Sequence, residues 1–101
     1  MTHETFAKRI DEIQTHSLSV LSEKNAKYST GDAIHNFQVG GDILGVTPAT
    51  AAFSYMTKHL VALRDMCESY EIDPEDLKEK CGDIINYIAI IYAILAESQD
   101  D

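Results

Sequence analysis

Residues 76–95, DLKEKCGDIINYIAIIYAIL, decide the fold. From Ile84 to Leu95 nearly every residue is apolar, whereas Asp76, Glu79, Asp83 and Asn86 recur at i, i+3, i+7 and i+10. On a helix that spacing draws one polar line along an otherwise apolar surface. A helix apolar on most faces belongs in a core, and a carboxylate carried into a core needs a lysine, a metal or hydrogen-bond donors. The stretch therefore predicts a buried helix with a polar site along one side.

Two start signals fix the second half of the chain. Asp73-Pro74-Glu75-Asp76 combines a capping acid, a proline at the first helical position and acids in the first turn, so the last helix is expected over about 74–97. Thr47-Pro48 repeats the signal and starts a helix over about 48–70. Its expected apolar face runs through Ala52, Tyr55, Met56, His59, Leu60, Leu63, Met66 and Cys67. At the N-terminus, Phe6, Ile10, Ile13, Val20 and Leu21 recur at helical spacing, with Leu18 beside them, and Thr2 caps a helix over about 3–27. Between these lies 28–47, punctuated by Gly31, Gly40, Gly41 and Gly45. Asp32 is expected to cap one short helix there and Asp42 a further turn. Nothing alternates with a strand period. The expected fold is an all-α helical bundle in one domain, three long helices with one or two short ones, frayed at 1–2 and 98–101.

Composition narrows the function. Eight basic side chains against 17 acidic ones give a net charge of −9. Such a surface repels phosphate backbones, so direct binding of nucleic acid is not expected. No signal peptide is visible, and the twelve residues Ile84–Leu95 fall short of a bilayer core of roughly 30 Å. No membrane contact is expected, and the chain is placed in the cytoplasm. Cys67 and Cys81 form no CxxC motif and read as reduced, mostly buried thiols. A helix apolar nearly all round is more than one small layer can cover, which points to a homo-oligomer.

Three groups of side chains carry chemistry. Glu79 and Asp83 on one helical face are suited to Mg²⁺, a cation that prefers oxygen ligands and retains waters for a phosphate. Glu23-Lys24-Asn25-Ala26-Lys27-Tyr28, followed by Asp32 and His35-Asn36-Phe37, supplies cations, amides and a ring suited to phosphate and base. Tyr55, Lys58 and His59 share the central helix, where Lys58 at the flank can reach Asp83 or a phosphate. His16, one turn after Glu12, suits a metal face or a solvated surface. There is no GxxxxGK loop and no GxSxG elbow, so covalent catalysis is disfavoured.

The same residues carry a family resemblance. Glu-Lys-Asn-Ala-Lys-Tyr at 23–28, Asp-Ala-Ile-His-Asn-Phe at 32–37, Gly-Val-Thr-Pro at 45–48, Tyr-Met-Thr-Lys-His at 55–59 and Asp-Ile-Ile-Asn-Tyr at 83–87 resemble a group of small helical phage and prophage proteins. That group is similar to nucleotide-modification-associated domains and, more distantly, to MazG-like all-α nucleoside triphosphate pyrophosphohydrolases. The resemblance implies nucleotide binding through Lys24, Asn25, Tyr28, Asp32, Asn36, Lys58, His59, Asp83 and Asn86, with Lys27 as a further phosphate ligand. MazG-like enzymes pair an ExxE with a later ExxD around Mg²⁺, whereas Glu79 and Asp83 stand four apart. Three readings follow. The first is a nucleotide-binding protein whose enzymatic form is a Mg²⁺-dependent pyrophosphohydrolase with Glu79 and Asp83 as catalytic metal ligands. The second is a protein that sequesters a nucleotide or a nucleotide second messenger without cleaving it. The third is an acidic helical inhibitor of a host protein.

Overall fold

A computed structural model describes residues 1–27 and 34–99, the side chains of 25–27 excepted. Four helices follow in order: α1 (His3–Lys27), α2 (His35–Leu44), α3 (Pro48–Cys67) and α4 (Pro74–Gln99). No strand occurs among the described residues. The protein is an all-α helical bundle.

Local chemistry explains each boundary. The Thr2 hydroxyl accepts a hydrogen bond from the Thr5 amide at 3.1 Å and starts α1. The Thr47 hydroxyl does the same for α3, accepting from the Thr50 amide at 3.2 Å with Pro48 in the first turn. For α4, the Asp73 carboxylate accepts from the Glu75 amide at 3.0 Å. The short α2 ends where Gly45 turns left-handed at φ 73°, and the following Val46 N–H bonds back to the Gly41 carbonyl at 2.9 Å. Gly41 is needed at that turn. A Cβ there would stand 2.7 Å from the Val46 carbonyl oxygen and 3.3 Å from the Pro48 nitrogen.

Three expectations change. Asp42 lies inside α2 rather than capping a turn, because the segment is one ten-residue helix. That helix starts at Ile34 without a side-chain cap, and Asp32 lies outside the described residues. The central helix stops at Cys67, where the Glu68 amide donates to the Asp65 carbonyl and the Ser69 amide to the Met66 carbonyl. The Ser69 hydroxyl donates to the Glu71 carbonyl while accepting from the Glu71 amide. Leu60 and Cys67, expected on the apolar face, are exposed, and that face narrows to Ala51, Ala52, Met56 and His59.

Packing runs through α4. Helix α4 packs on α1 along one side and on α3 along the other, while α2 packs on α3. Among the described residues neither α1 with α3 nor α2 with α4 packs closely along its length, although the Phe37 and Tyr87 rings meet across α2 and α4. The arrangement is thus an open layer in the order α1, α4, α3, α2, and its extents are 44 × 26 × 25 Å. Gly82 lets α1 approach closely, since a Cβ there would meet the His16 ring at 2.8 Å. His16 is therefore a packing residue of the α1–α4 contact rather than part of a metal face or a solvated one. By length and composition α4 would also suffice to cross a membrane. Here its buried residues Gly82, Ile84 and Asn86 contribute to the helical layer.

Candidate functional site

A cleft of about 670 Å³ opens where the end of α1 and the start of α2 meet α3 and α4. Its floor comes from the polar line of α4. Asp83, Asn86 and Tyr87 face it, followed by Ala89, Ile90 and Ala93 toward the C-terminal end. Spacing of three and four residues keeps Asp83, Asn86, Tyr87 and Ile90 on one side of the helix. Helix α3 contributes Tyr55, Lys58 and His59, α2 contributes Asn36 and Phe37, and α1 contributes Lys24.

His59 and Asp83 hold the middle of the site. The His59 Nδ1 atom lies 3.5 Å from Asp83 Oδ2, across the α3–α4 contact. Nδ1 is buried without a hydrogen bond, and the residue as a whole is 8% exposed. A buried ring nitrogen in that state has unspent hydrogen-bonding capacity. Asn86, equally buried at 8%, brings an amide that both donates and accepts.

Aromatic rings line the rest. Phe37 meets Tyr55 with centroids 6.0 Å apart and Tyr87 edge-on at 6.4 Å. Tyr87 lies against His59 at 5.5 Å, tilted by 36°. Gly40 allows Tyr55 to lie on α2, because a side chain at Gly40 would collide with the Tyr55 hydroxyl. The rings, tilted or edge-on to one another, form an apolar wall whose ring faces can meet a planar group.

Lys24 and Lys58 border this wall. Among the described residues neither lysine forms an ion pair, whereas Lys78 is paired with Glu75 at 3.7 Å. Asp83 is the single carboxylate lining the cleft among the described residues. In a chain of net charge −9, two unpaired cations beside a polar and aromatic floor mark a local reversal of sign.

Of the residues singled out in the sequence, Lys24, Asn36, Lys58, His59, Asp83 and Asn86 converge on this cleft. Glu79 does not; it is exposed, one turn before Asp83 and outside the lining. Tyr28 and Asp32 lie outside the described residues, as do the side chains of Asn25 and Lys27. Phe37 and Tyr55 stood within the sequence groups without an assigned contact, and Tyr87 was not among the candidate site residues. The signal for them was spacing, since Tyr55 precedes His59 by one turn and Tyr87 follows Asp83 by one turn.

A hard cation held by several carboxylates does not fit this donor set. Among the described residues no three His, Cys, Asp or Glu side chains come together. Acids at MazG-like spacing occur elsewhere, at Glu68/Glu71 and Glu97/Asp100. Glu68 and Glu71 are exposed in the connection between α3 and α4, and Asp100 lies beyond the described residues.

The chain matches no family model, no curated protein and no solved structure.

Proposed function

We propose that the cleft binds a nucleotide or a nucleotide-derived small molecule and holds it without cleaving it. The observation that carries this reading is the pairing of Lys24 and Lys58, neither in an ion pair among the described residues, with a wall of three aromatic rings in one cleft. Lysines supply the cations a phosphate needs. Phe37, Tyr55 and Tyr87 offer ring surface to a base, and Asn36 and Asn86 offer amides that can pair with its edge. His59 Nδ1 adds one more buried atom able to take part in a hydrogen bond. A volume of about 670 Å³ lies within the usual range for small-molecule sites.

Retention without turnover is favoured because Asp83 is the one carboxylate brought to the cleft by the described residues, and it faces His59. The Mg²⁺-dependent pyrophosphohydrolase of the sequence resemblance is the competing reading, with phosphates supplying most of the metal's ligands. A thermal-shift screen separates the two. Nucleoside mono-, di- and triphosphates and cyclic dinucleotides are each added with Mg²⁺ and with chelator. A ligand present at 100 times its Kd raises stability by roughly 2.7 kcal/mol. Stabilisation that survives chelation supports sequestration. Stabilisation that needs Mg²⁺, with pyrophosphate released, supports the hydrolase, and silence across the panel turns the reading toward a protein partner.

A further inference from the structure

Helix α4 leaves a second face uncovered, on the side away from the Asp83 line. Ile85, Ile88, Tyr92 and Leu95 are all exposed, Ile88 to 56% and Tyr92 to 73%. Their spacing of three, four and three residues is the seam of a helix that packs along a second helix. No charged side chain occurs anywhere in residues 84–96. Phe6 and Ile10 on α1 alternate with Lys8, Arg9 and Asp11, and Leu60 and Val61 on α3 lie between Lys58 and Arg64. Ile43, Leu44, Val46 and Phe53 lie in an uncharged run but are divided among α2, the turn after it and α3 rather than aligned along one helix.

The surface area shows how much is missing. A compact monomer of 11.2 kDa exposes about 5,700 Å² by the usual scaling of area with mass. This chain exposes 7646 Å², and none of the described large side chains is fully buried. The excess, about 1,900 Å², exceeds the roughly 800 Å² that each partner contributes to a standard interface and falls in the range of obligate dimers.

We propose that a second copy of this chain packs on the uncharged face of α4, pairing Ile85, Ile88, Tyr92 and Leu95 with their equivalents about a two-fold axis. A stripe on a single helix is self-complementary under such an axis. Two copies of net charge −9 repel over most of their surfaces, and this face brings them together with no charge to desolvate. Ala89 is small and exposed beside the seam, so the two helix axes can approach closely. Ala89 and Ala93 also line the cleft, so the second copy stands at its edge. A lipid bilayer is the other apolar environment to weigh, since α4 suffices by length and composition to cross one. Gly82, Ile84 and Asn86 are buried within the helical layer, however, so α4 presents one uncharged stripe rather than an apolar surface all round.

Sedimentation equilibrium on the full chain tests the proposal, alongside photo-crosslinking with a benzophenone amino acid in place of Tyr92. The expected mass is at least twice 11.2 kDa. In Ile88→Glu with Tyr92→Glu it falls to a smaller species, and the crosslinked variant joins residues 84–96 of a second copy. Crosslinking needs no disruptive substitution, so it decides the matter even where the glutamate pair unfolds the chain. A monomeric wild type, crosslinks that map elsewhere, or a monomer that floats with phosphatidylglycerol vesicles would each overturn the proposal.

Discussion

His59 and Asp83 face each other across the α3–α4 contact, Nδ1 to Oδ2 at 3.5 Å, and this pair joins the stability of the layer to the polarity of its cleft. Removing Asp83 alone leaves the buried His59 nitrogen with no acidic neighbour. Because Nδ1 has no hydrogen bond to lose, Asp83→Ala forfeits only this polar contact and is expected to lower stability by about 1 kcal/mol. Replacing both partners costs less than the sum of the single changes, because His59→Leu removes the group that Asp83 serves. Urea unfolding of the two single variants and the double variant measures this. Additivity within about 0.5 kcal/mol would show that the two side chains do not interact.

A second pair controls the α1–α4 contact. Gly82→Ala gains roughly 0.8–1 kcal/mol of helix propensity but drives a methyl group into the His16 ring. The expected net effect is destabilisation of about 1 kcal/mol or more, within the cost of overpacking. His16→Ala in the same chain opens that space, so Gly82→Ala becomes stabilising in the His16→Ala background. A change of sign between the two backgrounds, read from urea midpoints, is the diagnostic result.

The turn between α2 and α3 distinguishes two uses of glycine. At Gly41 the obstacle is backbone, with the Val46 carbonyl 2.7 Å from where a Cβ would stand. At Gly45 the space is open, and the strain comes only from φ 73°. Gly45→Ala is expected to cost about 1–2 kcal/mol, and Gly45→Asn less, since asparagine tolerates the left-handed region. Gly41→Ala should cost more than Gly45→Ala, and Gly41→Asn should give no relief. Thermal unfolding of the four variants orders them.

The two thiols should differ in reactivity. Burial, and then the neighbouring Cys67, push the Cys81 thiol above its ordinary value, whereas Cys67 is exposed. A raised value keeps Cys81 protonated at pH 8, and the thiolate is the reactive form. Alkylation with iodoacetamide followed by peptide mass spectrometry is expected to modify Cys67 first. Cys81 should lag and accelerate only as the pH rises further. Equal rates at pH 8 would contradict the burial described for Cys81.

Much of this fold was legible because the boundaries rest on local chemistry. Thr2, Thr47 and Asp73 bond within their own first turns, and sequence alone displays such pairs. Helix α2 was harder to read. It has no side-chain cap, and its two central glycines suggest a break, while tertiary contacts with Tyr55 and the 46–48 backbone require them. The polar line of α4 identified Asp83 and Asn86, whereas Glu79 on the same line lies outside the cleft. Helical spacing gives a side chain its direction, but only the placement of neighbouring helices decides where the cleft ends. The aromatic wall was hidden for the same reason, since Phe37, Tyr55 and Tyr87 come from three separate helices.

Binding should depend on the lysines without drawing on the fold. Lys58 is exposed and unpaired among the described residues, so Lys58→Ala is expected to change stability by no more than about 0.5 kcal/mol. The decisive measurement is a nuclear magnetic resonance titration of the labelled protein with the nucleotide panel, in chelator, on wild type and Lys58→Ala. The expected result is saturable shifts at the Asn36 and Asn86 side-chain amides and the His59 ring, weakened at least tenfold by Lys58→Ala. Absence of shifts with every nucleotide up to millimolar concentration, or shifts confined to residues outside the cleft, would contradict nucleotide binding at this site.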